Sequence, residues 1–301
     1  MNAITIKGLS KTYKNGTQAL KNIDLEIREG DFFALLGANG AGKTTIINIL
    51  TGLVIKSSGN IKIFDMDIDH NHQAAKRLMG VVPQEFNVNV FERVHDIVVN
   101  QAGYYGLNRK QALDRAEELL NAMDLWEKRN QVARELSGGM KRRLMITRAL
   151  MHQPKLLILD EPTASVDVEL RHGMWKYLHR LNDSGSTILL TTHYLEEVEQ
   201  MCRTAAIIKE GQIIKNEPVK TLIQLLHLEE YIITVKKIQN IKKLSQYQIM
   251  VIDDHTFELE IDREHQLNNF LADLPKTGMK TTDIRTKGFR LEKLFINMLK
   301  D

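Results

Sequence analysis

A glycine-rich segment, residues 37–44, carries the residues best suited to chemistry. It reads Gly-Ala-Asn-Gly-Ala-Gly-Lys-Thr, which fits the spacing of glycine, four residues, glycine, lysine and serine or threonine. Glycines let the backbone curl, so that successive N–H groups can point at one anion. Lys43 is placed to reach the β- and γ-phosphates of a nucleotide, and the Thr44 hydroxyl is a suitable Mg²⁺ ligand. The segment therefore predicts a nucleoside triphosphate site, and residues 37–44 are called the phosphate loop below.

A second candidate group follows an apolar run at residues 156–159. Asp160 and Glu161 come directly after it, and Pro162 follows them. Asp160 is suited to holding Mg²⁺, through water, and Glu161 could polarise an attacking water molecule. The alternative interpretation is an acidic pair that caps the next helix. Together with the phosphate loop, the pair favours hydrolysis of a bound triphosphate.

Residues 136–140, Leu-Ser-Gly-Gly-Met, are named here the Ser137 turn. Ser137 is a good helix N-cap, Gly138 and Gly139 expose the backbone, and a helix is expected to begin at Met140. The start of such a helix would be a second anion-binding end in the same chain. The single nucleotide bound at one phosphate loop cannot need both of these helix N-termini from the same subunit. The pattern therefore predicts a dimer in which the Ser137 turn of each subunit closes over the phosphate bound by the other subunit. An ordinary serine-glycine-glycine helix start is the alternative.

Apolar runs and turn residues place these segments in an α/β protein. Residues 32–36 read as a buried strand and 45–50 as a helix, which is the context that a phosphate loop needs. Further buried strands are expected at 156–159, 187–192 and 205–208, with helices between them. Alternating strands and helices indicate a doubly wound core.

The remaining parts of the chain have other patterns. Residues 1–30 predict short antiparallel strands, and residues 87–153 predict an inserted helical subdomain in which apolar residues, Leu113 among them, recur at helical spacing. After about residue 220 we expect a small α+β domain with strands at 248–252 and 257–261, and a helix with an apolar face at 291–299. The expected division is 1–220 and 221–301.

Composition bounds the function further. The chain has 301 residues, 43% of them hydrophobic, and a formal net charge of only +3, which gives no electrostatic case for a nucleic-acid partner. The single cysteine, Cys202, excludes an internal disulfide and is expected to be a small buried side chain. No secretory signal pattern and no apolar run of about 20 residues is present, so any membrane role is expected to come through a partner.

Taken in order, these motifs resemble the ATP-binding-cassette (ABC) ATPases from residue 4 to about 215. The resemblance implies a P-loop NTPase (RecA-like) core with an antiparallel β subdomain. It also implies that ATP and Mg²⁺ are bound, that Tyr13 stacks on adenine and that Gln84, from the Q-loop, touches Mg²⁺. His193 would sense the γ-phosphate, and Asp167 would belong to the D-loop. The full expected nucleotide-binding set is Tyr13, Gly37, Asn39, Gly40, Gly42, Lys43, Thr44, Thr45, Ser137, Gly138, Gly139 and Asp167. The expected catalytic set is Glu161, His193, Lys43 and Gln84, and the expected metal ligands are Thr44, Gln84 and Asp160.

Within that family, Met140 and the following Lys-Arg-Arg-Leu resemble the ABC-2 exporter branch. The resemblance implies a homodimer on the cytoplasmic face of the inner membrane, bound near Gln84–Tyr105 to an integral membrane permease. Ala38 departs from the frequent proline of the family, and residues 164–167 depart from its usual D-loop while keeping Asp167.

Three other functions stay open from sequence. A soluble ATP switch acting on ribosomes or DNA usually carries two cassettes, a long coiled coil or zinc cysteines, which this chain lacks. A P-loop kinase would not need the Ser137 turn or Glu161. An importer ATPase remains possible within the transporter class.

Overall fold

The computed structural model describes residues 1–163, 168–192, 194–224, 228–262 and 266–287. The chain divides into two compact units, Met1–Val219 and Lys220–Asp301. The strands of the described residues are β1 Asn2–Thr12, β2 Gln18–Arg28, β3 Phe32–Leu36, β4 Ser58–Ile63, β5 Met66–Asp67, β6 Met79–Val82, β7 Leu156–Asp160, β8 Thr187–Thr191, β9 Thr204–Lys209, β10 Gln212–Pro218, β11 Leu228–Val235, β12 Gln248–Val251, β13 Thr256–Asp262 and β14 Thr281–Thr286. The α-helices there are α1 Lys43–Leu50, α2 His72–Arg77, α3 Val94–Tyr104, α4 Arg109–Ala122, α5 Gly138–Leu150, α6 Val168–Asp183, α7 Leu195–Met201, α8 Val219–Gln224 and α9 Gln266–Asp273.

The central sheet of the first unit has the strand order β10-β9-β3-β8-β7-β6. Five of its strands are parallel, and β10 pairs antiparallel with β9 at one edge. Every residue of β3, β7 and β8 is buried, which explains why these strands are continuous apolar runs. The predicted α/β core is confirmed.

An antiparallel sheet of order β2-β1-β4-β5 packs on this core. Ile4, Leu20 and Ile61 from its strands share one apolar cluster with Ile46 of α1 and Leu35 of β3. Fully burying such a side chain stabilises the fold by about 1.5–3 kcal/mol. The cluster therefore fixes α1, and with it the end of the phosphate loop, against the sheet.

Helices α3, α4 and α5 lie in the stretch expected to be helical. Asn108 and Gln111 form a capping box at the start of α4, with Gln111 N–H donating to Asn108 Oδ1 at 2.9 Å. Ala112, Ala116 and the following leucines of α4 are buried as their spacing predicts. Leu113 also lies on α4, as the helical spacing predicts, but on the solvent side of the helix, where it is 37% exposed.

The second unit contains a sheet of order β12-β13-β11-β14. Phe257, Leu259 and Ile261 of β13 point into its apolar core, alternating with acidic residues as predicted. The helix expected at 291–299 lies outside the described residues. Among the helices that the structure describes, none is both long and apolar enough to cross a membrane.

Candidate active site

The candidate site lies at one edge of the central sheet. Strands β3, β8, β7 and β6 are parallel, so their carboxyl ends meet at the same edge, where ligands bind in open α/β sheets. The phosphate loop follows β3, Asp160 ends β7, and Gln84 comes two residues after β6. His193 comes two residues after β8, but it and Asp167 lie outside the described residues.

The phosphate loop reaches α1 through two closely packed glycines. Gly42 has φ 117°, and a Cβ there would lie 2.8 Å from Leu20 Cδ2. A Cβ on Gly37 would lie 2.6 Å from the carbonyl oxygen of Ile208. Only glycine fits these two positions, and Asn39, Gly40 and Thr44 remain exposed. The loop therefore presents its backbone at the surface, as an anion site requires.

Lys43 is the first residue of α1 and is only 6% exposed. Its Nζ donates to the carbonyl oxygens of Gly37 at 2.7 Å and Ala38 at 3.1 Å. Burial lowers the pKa of this ammonium, whereas the nearby Glu161 and Asp160 carboxylates raise it. The charge that would bind phosphate is thus held inside the loop and close to both acids.

Asp160 is 5% exposed, and Thr191 Oγ1 donates to its Oδ1. Burial raises the pKa of this carboxyl, although the hydrogen bond from Thr191 opposes the rise. No cluster of three His, Cys, Asp or Glu side chains that could hold a metal occurs among the described residues. The fit to Mg²⁺ is nevertheless good, because this ion takes oxygen ligands and is usually held by one or two carboxylates plus phosphate oxygens.

Glu161 follows Asp160 with φ 49°, in the left-handed region that non-glycine residues seldom adopt. Its N–H donates to the carbonyl oxygen of Thr191 at 3.0 Å. Its side chain meets that of Gln84, whose Nε2 donates to Glu161 Oε2 at 3.3 Å. The structure therefore brings the expected water-polarising acid and the expected Q-loop glutamine together.

Tyr13 lies beside the start of α1. Its hydroxyl is 3.4 Å from Thr45 Oγ1, and Lys11 Nζ lies 5.0 Å from the centre of its ring. The ring is 36% exposed, so it has surface to offer to a flat ligand. Stacking on adenine stays a prediction.

The Ser137 turn caps α5 as expected. Ser137 Oγ accepts the N–H of Met140 at 3.3 Å. The helix begins at Gly138, two residues before the predicted start, because the serine cap lets both glycines adopt helical angles. Ser137 and Gly138 are exposed and Gly139 is buried.

Arg142 is a residue of this site that the sequence interpretation missed. It lies one turn into α5 and is 9% exposed. Its guanidinium donates to the backbone carbonyl oxygens of Pro83, Gln84 and Glu161 at 2.7, 3.0 and 3.0 Å. Its neighbour Arg143 looks identical in sequence yet donates to Met123 O, away from the site, so residue type alone gave no signal.

Known proteins resemble the chain over most of its length. Residues 20–164 match the family described as ABC transporter. The linearmycin resistance ATP-binding protein LnrL of Bacillus subtilis is 34% identical over 97% of this chain and 96% of that protein. A Nod factor export ATP-binding protein I of Cupriavidus metallidurans is 41% identical over 64% of each chain.

Solved structures agree with these matches. A dimeric ATP-binding cassette in a post-hydrolysis state, bound to ADP and Pi, superposes with a TM-score of 0.67 and 27% identity, over 72% of this chain and 98% of that one. The ATP-binding subunit of an ABC transporter superposes with a TM-score of 0.69 and 26% identity, over 74% of this chain and 92% of that one. The chain therefore belongs to the ABC transporter ATP-binding proteins, and it is an ATP-hydrolysing cassette.

Proposed function

We propose that the chain is the ATPase subunit of an ABC-2 type exporter and works as a homodimer bound to an integral membrane subunit. The observation that carries this proposal is the likeness to LnrL, which extends through the second unit rather than ending with the cassette. One relative is named for linearmycin resistance and the other for Nod factor export, and both names favour an exporter over an importer. Because those names concern different compounds, the membrane subunit is the part that would select the substrate.

In this proposal the first unit is the ATPase domain and the second an accessory domain. ATP would bind at Lys43, Thr44 and Tyr13, and the Ser137 turn of the partner would close over its γ-phosphate. Glu161 would orient water for in-line attack, with Gln84 and His193 beside it. Mg²⁺, held by Thr44, Gln84 and Asp160, would neutralise charge on the phosphate oxygens.

The membrane subunit would dock on residues 86–105. Phe91 and Tyr104 lie in this segment and are 69% and 85% exposed. Exposed aromatic side chains are typical of contacts between proteins. The segment begins two residues after Gln84, so motion at the active site would reach the membrane subunit by a short route. The dimer would then lie at the cytoplasmic face of the inner membrane.

The first experiment compares ATPase activity per subunit across protein concentrations. A homodimeric site requires the specific activity to rise with concentration, whereas activity that stays constant down to a strictly monomeric sample would contradict the proposal. The assay also follows phosphate release, since a kinase would form a phosphorylated product instead.

The second experiment purifies the tagged chain from detergent-solubilised membranes of its native host and identifies the integral membrane protein that accompanies it. We expect the two to co-purify, and we expect Phe91→Ser with Tyr104→Ser to abolish co-purification. The same double variant should keep the basal ATPase rate, because neither residue is assigned to nucleotide. Unchanged co-purification would refute this docking surface.

A further inference from the structure

The Arg142 side chain connects α5 to two other segments of the site, the one at Pro83 and Gln84 and the one at Glu161. Its Nη1 donates to Pro83 O, and its Nη2 donates to both Gln84 O and Glu161 O. The planar guanidinium offers several donors in a fixed fork, so it can hold carbonyl groups from two segments at once. A lysine ammonium, as a compact charge on a flexible stem, could not reproduce that geometry.

The contact with Glu161 has a specific consequence for the backbone. Glu161 has φ 49°, a strained conformation for a residue other than glycine, which persists only where the surrounding structure enforces it. Thr191 O accepts its N–H, and Arg142 donates to its carbonyl oxygen. Both peptide groups of the residue are therefore fixed, which sets the direction of its Cα–Cβ bond and so limits where its carboxylate can reach.

The position of Arg142 on α5 extends this effect. Ser137 caps the same helix, and Arg142 lies only one turn further along. Under the proposed function, the Ser137 turn serves the partner subunit's nucleotide, whereas Glu161 and Gln84 serve the nucleotide of their own chain. A rigid helix thus joins a group that contacts one ATP to the groups that act on the other.

We propose that Arg142 is a positioning residue that couples α5 to Glu161 and Gln84 of its own subunit, so that ATP engaged at one site sets the catalytic geometry of the second. The positioning of Glu161 rests on contacts within one chain, and the coupling between sites rests also on the proposed homodimer. Removal of the guanidinium should release the Glu161 and Gln84 backbones while leaving the phosphate loop intact.

The test uses the full chain with Arg142→Ala and Arg142→Lys. We expect kcat to fall about 10- to 100-fold in both, as for other misplaced catalytic groups. The Kd for ATP, measured by calorimetry, should stay within about twofold of the parent value, since neither variant changes a residue of the phosphate loop. The Hill coefficient for ATP should fall towards one.

Two controls separate positioning from a general loss of structure. Arg143→Lys changes an equally buried arginine of α5 that contacts Met123 and Asp124 instead, and it should lower the melting temperature with little change in kcat. Low, non-denaturing guanidinium concentrations should restore kcat in Arg142→Ala, whereas methylammonium at equal concentration should not.

A parent-like kcat in Arg142→Ala would overturn the proposal, as would a kcat that falls only in step with melting temperature and does not respond to guanidinium. If kcat of Arg142→Ala is lowered and is restored by guanidinium but the Hill coefficient is unchanged, the coupling between the two ATP sites would be overturned, whereas the positioning of Glu161 would stand. If the parent's rate does not depend on its concentration, the homodimer fails, yet the kcat loss and its rescue would still support the positioning of Glu161.

Discussion

Thr191 holds Asp160 in place across neighbouring strands. Thr191 Oγ1 donates to Asp160 Oδ1, and the two residues lie opposite each other in the parallel pair of β8 and β7. The carbonyl oxygen of Thr191 also accepts the N–H of Glu161 at 3.0 Å. The relative position of the two acids is therefore set by strand register rather than by a flexible loop.

Asp160→Asn should raise stability at neutral pH and remove ATPase activity. Burial raises the pKa of Asp160 above its ordinary value of 3.8, so the folded state binds this proton more tightly than the unfolded chain. For an acid shifted this way, stability decreases as pH rises from about 3.8 through the folded pKa, and above both values the ionised carboxylate remains a cost. Asparagine keeps an oxygen to accept from Thr191 but carries no charge.

Thermal unfolding checks this expectation. At pH 7 without nucleotide, Asp160→Asn should melt a few degrees above the parent, and the gap should narrow towards pH 4. With Mg²⁺ and ATP the order should reverse, because ligand binding stabilises only the parent strongly. A variant that melts below the parent at pH 7 would contradict this expectation. It would show that the attraction of the Asp160 carboxylate to the Lys43 and Arg142 cations outweighs the free-energy cost of burying its charge.

Glu161→Gln should keep ATP binding and stall turnover. The amide has nearly the same shape, but it cannot polarise water as a carboxylate does, and such catalysis contributes about 10²- to 10⁴-fold. We therefore expect a kcat loss in that range and an ATP-bound dimer by size-exclusion chromatography. Glu117→Gln, an exposed residue of α4, is the matched control and should behave as the parent. Parent-like hydrolysis in Glu161→Gln would disprove the role assigned here.

Lys43→Ala should weaken ATP binding. Its Nζ would exchange the carbonyls of Gly37 and Ala38 for phosphate oxygens, and a hydrogen bond to a charged group contributes about 1.5–3 kcal/mol. This energy corresponds to roughly a 10- to 100-fold increase in Kd. Calorimetry provides the measurement, with Lys56→Ala as control because Lys56 pairs with Asp69 instead. Equal affinities in the two variants would exclude Lys43 as a phosphate ligand.

Much of the architecture was predictable because its signals are local. The continuous apolar runs of β3, β7 and β8 indicated buried parallel strands, and glycine spacing located the phosphate loop. The burial of Cys202 also followed from its type and is confirmed. The edge at which Asp160, Gln84 and the loop converge could be inferred only because parallel strands share a direction.

Other features depended on contacts between distant residues. The hydrogen bonds of Arg142 span 58 and 59 positions to the Q-loop, and no spacing rule distinguishes it from Arg143. The positive φ of Glu161 likewise reflects enforcement by Thr191 and Arg142, not any preference of glutamate. Such features arise from packing of β6, β7, β8 and α5 together, which periodicity cannot supply.

Gly42→Ala should destabilise the first unit. The new Cβ would meet Leu20 Cδ2 at 2.8 Å and Ala19 O at 3.0 Å, and φ 117° strains any other residue. Strain of this kind costs about 1–3 kcal/mol, to which the clash adds. Gly173→Ala is the control: it lies exposed within α6 with open space around it, so alanine should stabilise by about 0.5–1 kcal/mol. Urea unfolding that ranks the two variants the other way would contradict the geometry of the loop.

Two introduced cysteines should link the proposed homodimer across its sites. Asn39 in the phosphate loop and Ser137 are both exposed, and each is expected to meet the other in the partner subunit. The native thiol should not interfere, since Cys202 is buried and burial raises its pKa well above the ordinary value. In an E161Q background, oxidation of Asn39→Cys with Ser137→Cys should yield a dimer-sized band that depends on ATP. Each single variant is the control, because neither can form the mixed pair. A double variant that yields no dimer with ATP, while binding nucleotide normally, would argue against a shared site.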